Sequence, residues 1–188
     1  MSSTSNKPVK FIGIFTMVAG LLMIIAGGVT WGLVSSQLKA ENITVAAITD
    51  ENPGPLAGKE VAGPFTAYAQ ANAINEHALE GAAGKTYAEI GKEATALKAK
   101  LKAAGASDDE IADNAEVKAI AATRTTAMNG SFLRASLFTS VVSFGVAALV
   151  IGLGVVFLLI GFALMKLATI TTTTATAVST PARATATA

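Results

Sequence analysis

Two long, uncharged and apolar stretches dominate the pattern of this chain, and a charged, Ala-rich stretch separates them. The second runs from Ala135 to Met165, 31 residues bounded by Arg134 and Lys166. An α-helix of that length extends roughly 46 Å, whereas the hydrocarbon core of a bilayer is about 30 Å thick. A similar stretch runs from Phe11 to Leu38. The pattern therefore predicts two transmembrane helices.

The first stretch lies near the N-terminus, where a cleaved secretory signal peptide is the alternative interpretation. The apolar part of a signal peptide has about 7–15 residues, and this stretch is nearly twice as long. No clear small-x-small cleavage site follows Val34. We therefore predict a retained membrane helix over residues 11–36, followed by a second one over residues 135–165.

The charges that flank the two spans predict their orientation. All 13 acidic residues lie between the spans, and both tails contain only basic charges, at Lys7, Lys10, Lys166 and Arg183. Under the positive-inside rule both tails lie in the cytoplasm and the central loop lies outside the plasma membrane. We expect residues 1–10 to form a cytoplasmic tail, and residues 166–188 to form a disordered, Thr- and Ala-rich cytoplasmic tail.

Residues 37–134 show the local signals of several helices. Thr86 and Ser107 are each followed three residues later by Glu, the capping-box pattern that begins a helix. The first predicts a helix that ends at Gly105, and the second predicts a helix over about residues 108–127.

Breaker residues and β-rich composition define the rest of this region. Pro64 suits the first turn of a helix over about residues 65–80, and the β-rich residues 43–48 predict a short extended segment. Gly130 and Ser131 either interrupt the last helix or let it continue into the second span.

The region between the spans contains few large apolar residues that could form a hydrophobic core of its own. Of residues 39–134, 16 are Leu, Ile, Val or Phe, about 17% and below the ~20% typical of folded domains. We predict an Ala-rich helical domain that is stabilised by contact with the membrane or with a partner. A small helical domain that is stable by itself is the alternative. The predicted fold is an all-α membrane protein: a two-helix transmembrane hairpin with a mainly helical extracytoplasmic domain over residues 37–134.

Small residues recur every seven positions in both spans. The predicted helix-packing residues are Gly13, Gly20 and Gly27 in the first span and Ser140, Ala147, Gly154 and Gly161 in the second. Small residues let helices approach closely in lipid, and a seven-residue repeat suits a left-handed crossing. The pattern predicts either a close antiparallel hairpin or two faces for a partner's helices. Chance recurrence is the simpler alternative, because small residues are abundant in the second span.

The composition argues against most kinds of chemistry. The chain has no cysteine and a single histidine, His77, whereas protein-bound transition metals usually need several such ligands. The spans contain no ionisable residue, which argues against a transporter, and the net charge near zero gives no reason to expect nucleic acid. We predict no catalytic residues, no metal, no cofactor, no small-molecule substrate and no enzymatic activity.

Three short motifs resemble chemical sites but have simpler explanations. The segment Gly84–Thr86 ends like a phosphate-binding P-loop, but Leu79 replaces the first glycine of that pattern. His77 has only carboxylates near it in the sequence, and one histidine cannot complete a two-histidine iron site. The acidic residues 108–113 suit the start of a helix, where the helix dipole favours negative charge; calcium binding is the weaker alternative.

Two stretches resemble a known family, Ala71–Glu89 (ANAINEHALEGAAGKTYAE) and Met128–Gly154, the latter with the segment SFLRASLFTS at its start. They resemble small two-span actinobacterial membrane proteins, often labelled aromatic ring-opening dioxygenases. The single histidine conflicts with that activity. The resemblance covers most of residues 7–166.

Some proteins of this family resemble accessory subunits of the respiratory supercomplex of cytochrome bcc menaquinol reductase and cytochrome c oxidase. The resemblance therefore implies a structural role beside integral membrane subunits of that assembly, in contact with membrane lipid. A cell-envelope scaffold or sensor unrelated to respiration is the alternative.

Overall fold

The computed structural model describes residues 7–178, with side chains for residues 7–169. The described residues form five helices: α1 (Lys7–Ala40), α2 (Pro64–Gly81), α3 (Tyr87–Ala103), α4 (Asp108–Asp113) and α5 (Ala115–Val178). They contain no β-strand, only an isolated antiparallel bridge between Thr44 and Glu60. The mainly helical fold is thus confirmed, and the bridge lies in the segment predicted to be extended.

Helices α1 and α5 are both long and apolar enough to cross a membrane. Their most apolar 18-residue windows have mean hydropathies of 2.3 and 2.8. Only 17% of each window is buried within the protein, whereas the core helix of a water-soluble protein is mostly buried. The exposed apolar surface suits a lipid environment.

The structure differs from the predicted tails at both ends. Helix α1 begins at Lys7, within the tail predicted over residues 1–10, and α5 continues to Val178, within the tail predicted to be disordered over residues 166–188. Extending an existing helix adds one hydrogen bond per residue without a new nucleation cost, so both apolar helices continue beyond the apolar pattern. The rest of each tail lies outside the described residues.

The single helix predicted over residues 108–127 is instead two helices that meet at Asn114. This residue has extended backbone (ψ 127°), and its side-chain oxygen accepts hydrogen bonds from the N–H groups of Glu116 (2.9 Å) and Val117 (3.2 Å). Asn114 is therefore the N-cap of α5. From there α5 continues through Gly130 without a break, which decides between the two alternatives at that position.

The described chain divides into two compact units. The helix-pair unit comprises residues 7–32 and 146–178, and the intervening unit comprises Leu33–Gly145. The intervening unit is wider than the predicted domain over residues 37–134, because its core includes Leu137 and Phe144 of α5 and Val34 of α1 packs against that core.

The main core of the intervening unit joins α2, the segment before it, the C-terminal end of α1 and the middle of α5. Its most buried members are Val61, Ala67, Ala71 and Phe144, each at most 1% exposed. Buried Gln70 ties the extended segment to α2, because its side-chain oxygen accepts a 2.7 Å hydrogen bond from the N–H of Ala46.

Candidate interaction sites

Small residues of α1 and α5 lie opposite one another in the helix-pair unit. The opposed pairs are Gly13 with Gly161, Gly20 with Gly154, and Gly27 with Ala147. Their order shows that the two helices are antiparallel, and each pair is seven residues from the next. At the closest pair, a Cβ atom added to Gly20 would lie 2.5 Å from the carbonyl oxygen of Gly154. The missing side chains therefore allow the backbones to approach closely.

Six of the seven predicted helix-packing residues thus meet within the chain itself. All six are buried, whereas the seventh, Ser140, belongs to the intervening unit and is half-buried. Its hydroxyl donates to the carbonyl oxygen of Ser136 at 3.4 Å. The structure therefore brings these faces together inside one chain, and they are not free faces for a partner's helices.

The large apolar side chains of the helix-pair unit point outwards. Phe15 is 68% exposed, Leu22 is 61% exposed and Leu159 is 63% exposed. Exposed apolar surface on this scale indicates a site of contact with membrane or protein. The outer face of the helix pair is therefore a surface that lipid or neighbouring helices can cover.

The intervening unit contains a cavity of about 140 Å³, which we call the Arg134 cavity. It lies between α2, the α2–α3 turn and α5, and its polar lining residues are Asn75, Lys85, Thr86, Tyr87, Ser131 and Arg134. Helices α2 and α5 approach closely beside it. A Cβ atom added to Gly130 would lie only 2.6 Å from the Cβ atom of Ala78.

Arg134 is held in place by aromatic rings. Its guanidinium carbon lies 5.2 Å from the ring centroid of Phe138, one turn further along α5. Phe138 in turn meets the ring of Tyr68 edge to face, with 5.8 Å between centroids. The Nε atom of Arg134 is buried and has no hydrogen-bond partner among the described residues. Buried donors without a partner are uncommon in folded proteins, so the surroundings of Arg134 are unusual.

A second, more open groove lies between α3 and α5 and has a volume of about 560 Å³. Arg124 lies over the ring of Tyr87, 4.3 Å from its centroid, and its Nε atom would be 3.5 Å from a Cβ atom on Gly91. The guanidinium therefore packs against α3 at ordinary van der Waals distance.

The segment that resembles a P-loop has a structural role at the end of α2 and the start of α3. Gly84 has a φ of +76°, which glycine adopts without strain, and its N–H donates to the carbonyl oxygen of Leu79 at 2.7 Å. Lys85 pairs with Glu93 at 2.6 Å. The helix end and cap thus account for this motif.

Both predicted capping boxes are confirmed. The hydroxyl of Thr86 accepts from the N–H of Glu89, and the Glu89 carboxylate accepts from the N–H of Thr86 at 2.8 Å. Ser107 and Glu110 make the same reciprocal bonds. The hydrogen bonds from the backbone and side chain of Thr86 lower the pKa of Glu89 below its ordinary value, and those from Ser107 do the same for Glu110.

The described residues contain no group of three or more His, Asp or Glu side chains placed to hold a metal ion. His77 is exposed on α2. Sequence reasoning used Arg134 only as a flanking charge of the second span. It missed the cavity because the lining residues come from separate parts of the chain.

No family model, curated protein or solved structure matches this chain.

Proposed function

We propose that this protein is a non-catalytic accessory subunit of an actinobacterial respiratory supercomplex of menaquinol–cytochrome c reductase and cytochrome c oxidase. In this proposal α1 and α5 form a transmembrane hairpin in the plasma membrane, both termini are cytoplasmic, and residues 37–134 lie on the outer side. Its partners are membrane lipid and integral membrane subunits of the assembly.

The observation that supports the membrane part most strongly is the contrast between the two faces of the helix pair. Small residues such as Gly20 and Gly154 lie at the contact, and large apolar residues such as Leu22 and Leu159 lie outside. In water such an exterior would be unfavourable by about 25 cal/mol for each Å² exposed. In a bilayer it is covered by lipid or by neighbouring helices.

The respiratory part is supported by the resemblance of Ala71–Glu89 and Met128–Gly154 to small two-span actinobacterial membrane proteins, some of which resemble accessory subunits of that assembly. These two stretches are distant in sequence, yet they meet where Ala78 packs against Gly130. They also supply most of the lining of the Arg134 cavity. The resemblance therefore falls on residues that form one packed region of the intervening unit.

The test is to purify the tagged full-length protein in a mild detergent and to record a reduced-minus-oxidised difference spectrum. We expect b-, c- and a-type haems in stoichiometric proportion to the tagged chain. The same extract from cells with the untagged protein is the control for background haem. A tagged preparation without these haems, with other envelope proteins in their place, would refute the respiratory assignment and favour a scaffold or sensor.

A further inference from the structure

Some polar groups of the Arg134 cavity already have hydrogen-bond or ion-pair partners within the protein, and others do not. Lys85 is neutralised by its ion pair with Glu93. The Thr86 hydroxyl donates to Glu89 at 2.7 Å, and the Ser131 hydroxyl donates to the carbonyl oxygen of Ala127 at 2.9 Å. These three groups therefore have partners within the protein.

Tyr87 also lines the cavity, and its ring lies under Arg124. Arg134 and Asn75 are the two remaining polar side chains. Among the described residues Arg134 forms no ion pair with a carboxylate, and its buried Nε atom donates no hydrogen bond. The Asn75 side chain, which lines the same cavity, also forms no hydrogen bond with a described residue. The cavity is thus lined by one positively charged side chain that has no ion pair among the described residues, and by the neutral amide of Asn75 from the other helix.

Arg134 is half-buried, and a positive charge that loses part of its hydration without an opposite charge nearby costs free energy. The contact with Phe138 holds the guanidinium in one position, so little side-chain freedom remains to be lost on binding. A planar guanidinium with several N–H donors suits the oxygens of a phosphate or carboxylate group. The cavity volume of about 140 Å³ is well above the ~30 Å³ that one water molecule occupies in the liquid.

We propose that the Arg134 cavity binds a phosphate-type oxyanion, either the phosphodiester of a phospholipid headgroup or a free phosphate ion. Arg134 supplies the compensating charge, and Asn75 supplies a neutral donor from the opposite helix. In sequence Arg134 directly precedes the uncharged stretch from Ala135 to Met165, so the cavity lies on the loop side of that stretch. The lipid source rests on the membrane part of the proposed function, and the site itself does not depend on the respiratory part.

The test uses the full chain in a nonionic detergent with two probes, dioleoylphosphatidylglycerol and inorganic phosphate. Native mass spectrometry measures how much of the lipid remains bound, with and without phosphate as a competitor. We expect Arg134→Gln to weaken lipid binding about tenfold or more, the scale of a charge-assisted hydrogen bond. Lys118→Gln is the control, because Lys118 is also a cation of α5 but pairs with Asp113 and lies outside the cavity.

A second variant, Asn75→Ala, distinguishes a loss of binding from misfolding of Arg134→Gln. Asn75→Ala leaves the charge of Arg134 in place, and we expect it to weaken binding several-fold with unchanged helix content. Arg134→Lys keeps the charge but loses the planar fork, so we expect an affinity between those of the wild type and Arg134→Gln.

The two probes distinguish the source of the oxyanion. If phosphate displaces the lipid from the wild type but not from Arg134→Gln, the site is assigned to free phosphate. If phosphate does not reduce the amount of bound lipid, the site is assigned to the headgroup. Either outcome supports the proposal. Equal losses in Arg134→Gln and Lys118→Gln, or no loss in Arg134→Gln and Asn75→Ala, would overturn it. These binding measurements do not depend on the haem spectrum. They therefore test the Arg134 cavity even if the respiratory assignment is refuted.

Discussion

The contact between the two apolar helices depends on the absence of a side chain at Gly20. A Cβ atom there would lie 2.5 Å from the carbonyl oxygen of Gly154 and 2.9 Å from the backbone nitrogen of Leu158. Ordinary contact begins at 3.4 Å, so the shorter distance is about 0.9 Å too small for two atoms in van der Waals contact. Both neighbours are backbone atoms of a helix and cannot rotate away. Gly20→Ala therefore forces the helices apart.

The size of the effect follows from that separation. A radial gap of 0.5–1 Å already loses about a quarter to a half of the van der Waals attraction between facing atoms. Substitutions that overfill a packed contact typically cost about 1–3 kcal/mol. Alanine also favours a helix interior over glycine by roughly 1 kcal/mol, which would partly mask the loss.

Gly28 provides the matched control. It lies on the same helix, and a Cβ atom there would have no atom within 4 Å. Gly28→Ala therefore reports the helix preference without the steric clash. We expect Gly20→Ala to have a free energy of unfolding about 1–3 kcal/mol lower than that of Gly28→Ala.

The assay is unfolding of the full chain in mixed micelles, with increasing sodium dodecyl sulfate in a nonionic detergent. The fluorescence of Trp31, the only tryptophan of the chain, follows the transition. A difference between the two variants smaller than about 0.5 kcal/mol would refute the argument, because it would show that the helices do not contact at Gly20.

The intervening unit offers further predictions. Gly130→Ala would place its Cβ atom 2.6 Å from that of Ala78, so we expect thermal unfolding to show a loss of about 1–3 kcal/mol. Adding Ala78→Gly to Gly130→Ala should restore most of the lost stability. The control Gly145→Ala, whose Cβ atom would have no atom within 4 Å, should cost less than about 0.5 kcal/mol. If the stability losses of the two single variants simply add in the double variant, the contact is contradicted. Thr86→Ala removes a helix cap worth about 0.5–2 kcal/mol, and amide exchange in α3 should become faster; unchanged exchange would argue against the cap. Because hydrogen bonding lowers the pKa of Glu89 in the folded state, its contribution to stability is present above the ordinary pKa of 4.5 and is lost as the pH falls below it. Amide protection at the start of α3 should therefore decline below pH 4.5, and an identical decline in Glu89→Gln would refute that cause.

Local signals in the sequence were sufficient for much of the fold. The two apolar helices follow from length and the absence of charge, and the caps at Thr86 and Ser107 depend on residues only three positions apart. The break at Asn114 was missed although asparagine is a common N-cap. Asn114 lies among Ala and acidic residues, a composition from which we predicted a continuous helix. Only the hydrogen bonds that its side-chain oxygen accepts from Glu116 and Val117 reveal the cap.

Contacts between distant residues could not be predicted in the same way. The seven-residue spacing identified Gly20 and Gly154 as packing positions, but it could not tell whether they pack against each other or against a partner. Arg134 is a second case, because its cavity requires that α2 and α5 approach at Ala78 and Gly130. Such information depends on the register between helices, which a single sequence does not contain.

Two membrane crossings are the central claim, because both the respiratory proposal and the lipid source for Arg134 depend on them. The chain has no cysteine, so Lys98→Cys, at an exposed position of α3, introduces a single thiol between the spans. Ser3→Cys and Ser179→Cys introduce single thiols in the two tails. With a membrane-impermeant maleimide on intact cells, the account predicts labelling of Lys98→Cys before lysis and of the two tail variants only after the membrane is opened. Labelling of either tail variant in intact cells, or protection of Lys98→Cys until lysis, would contradict it.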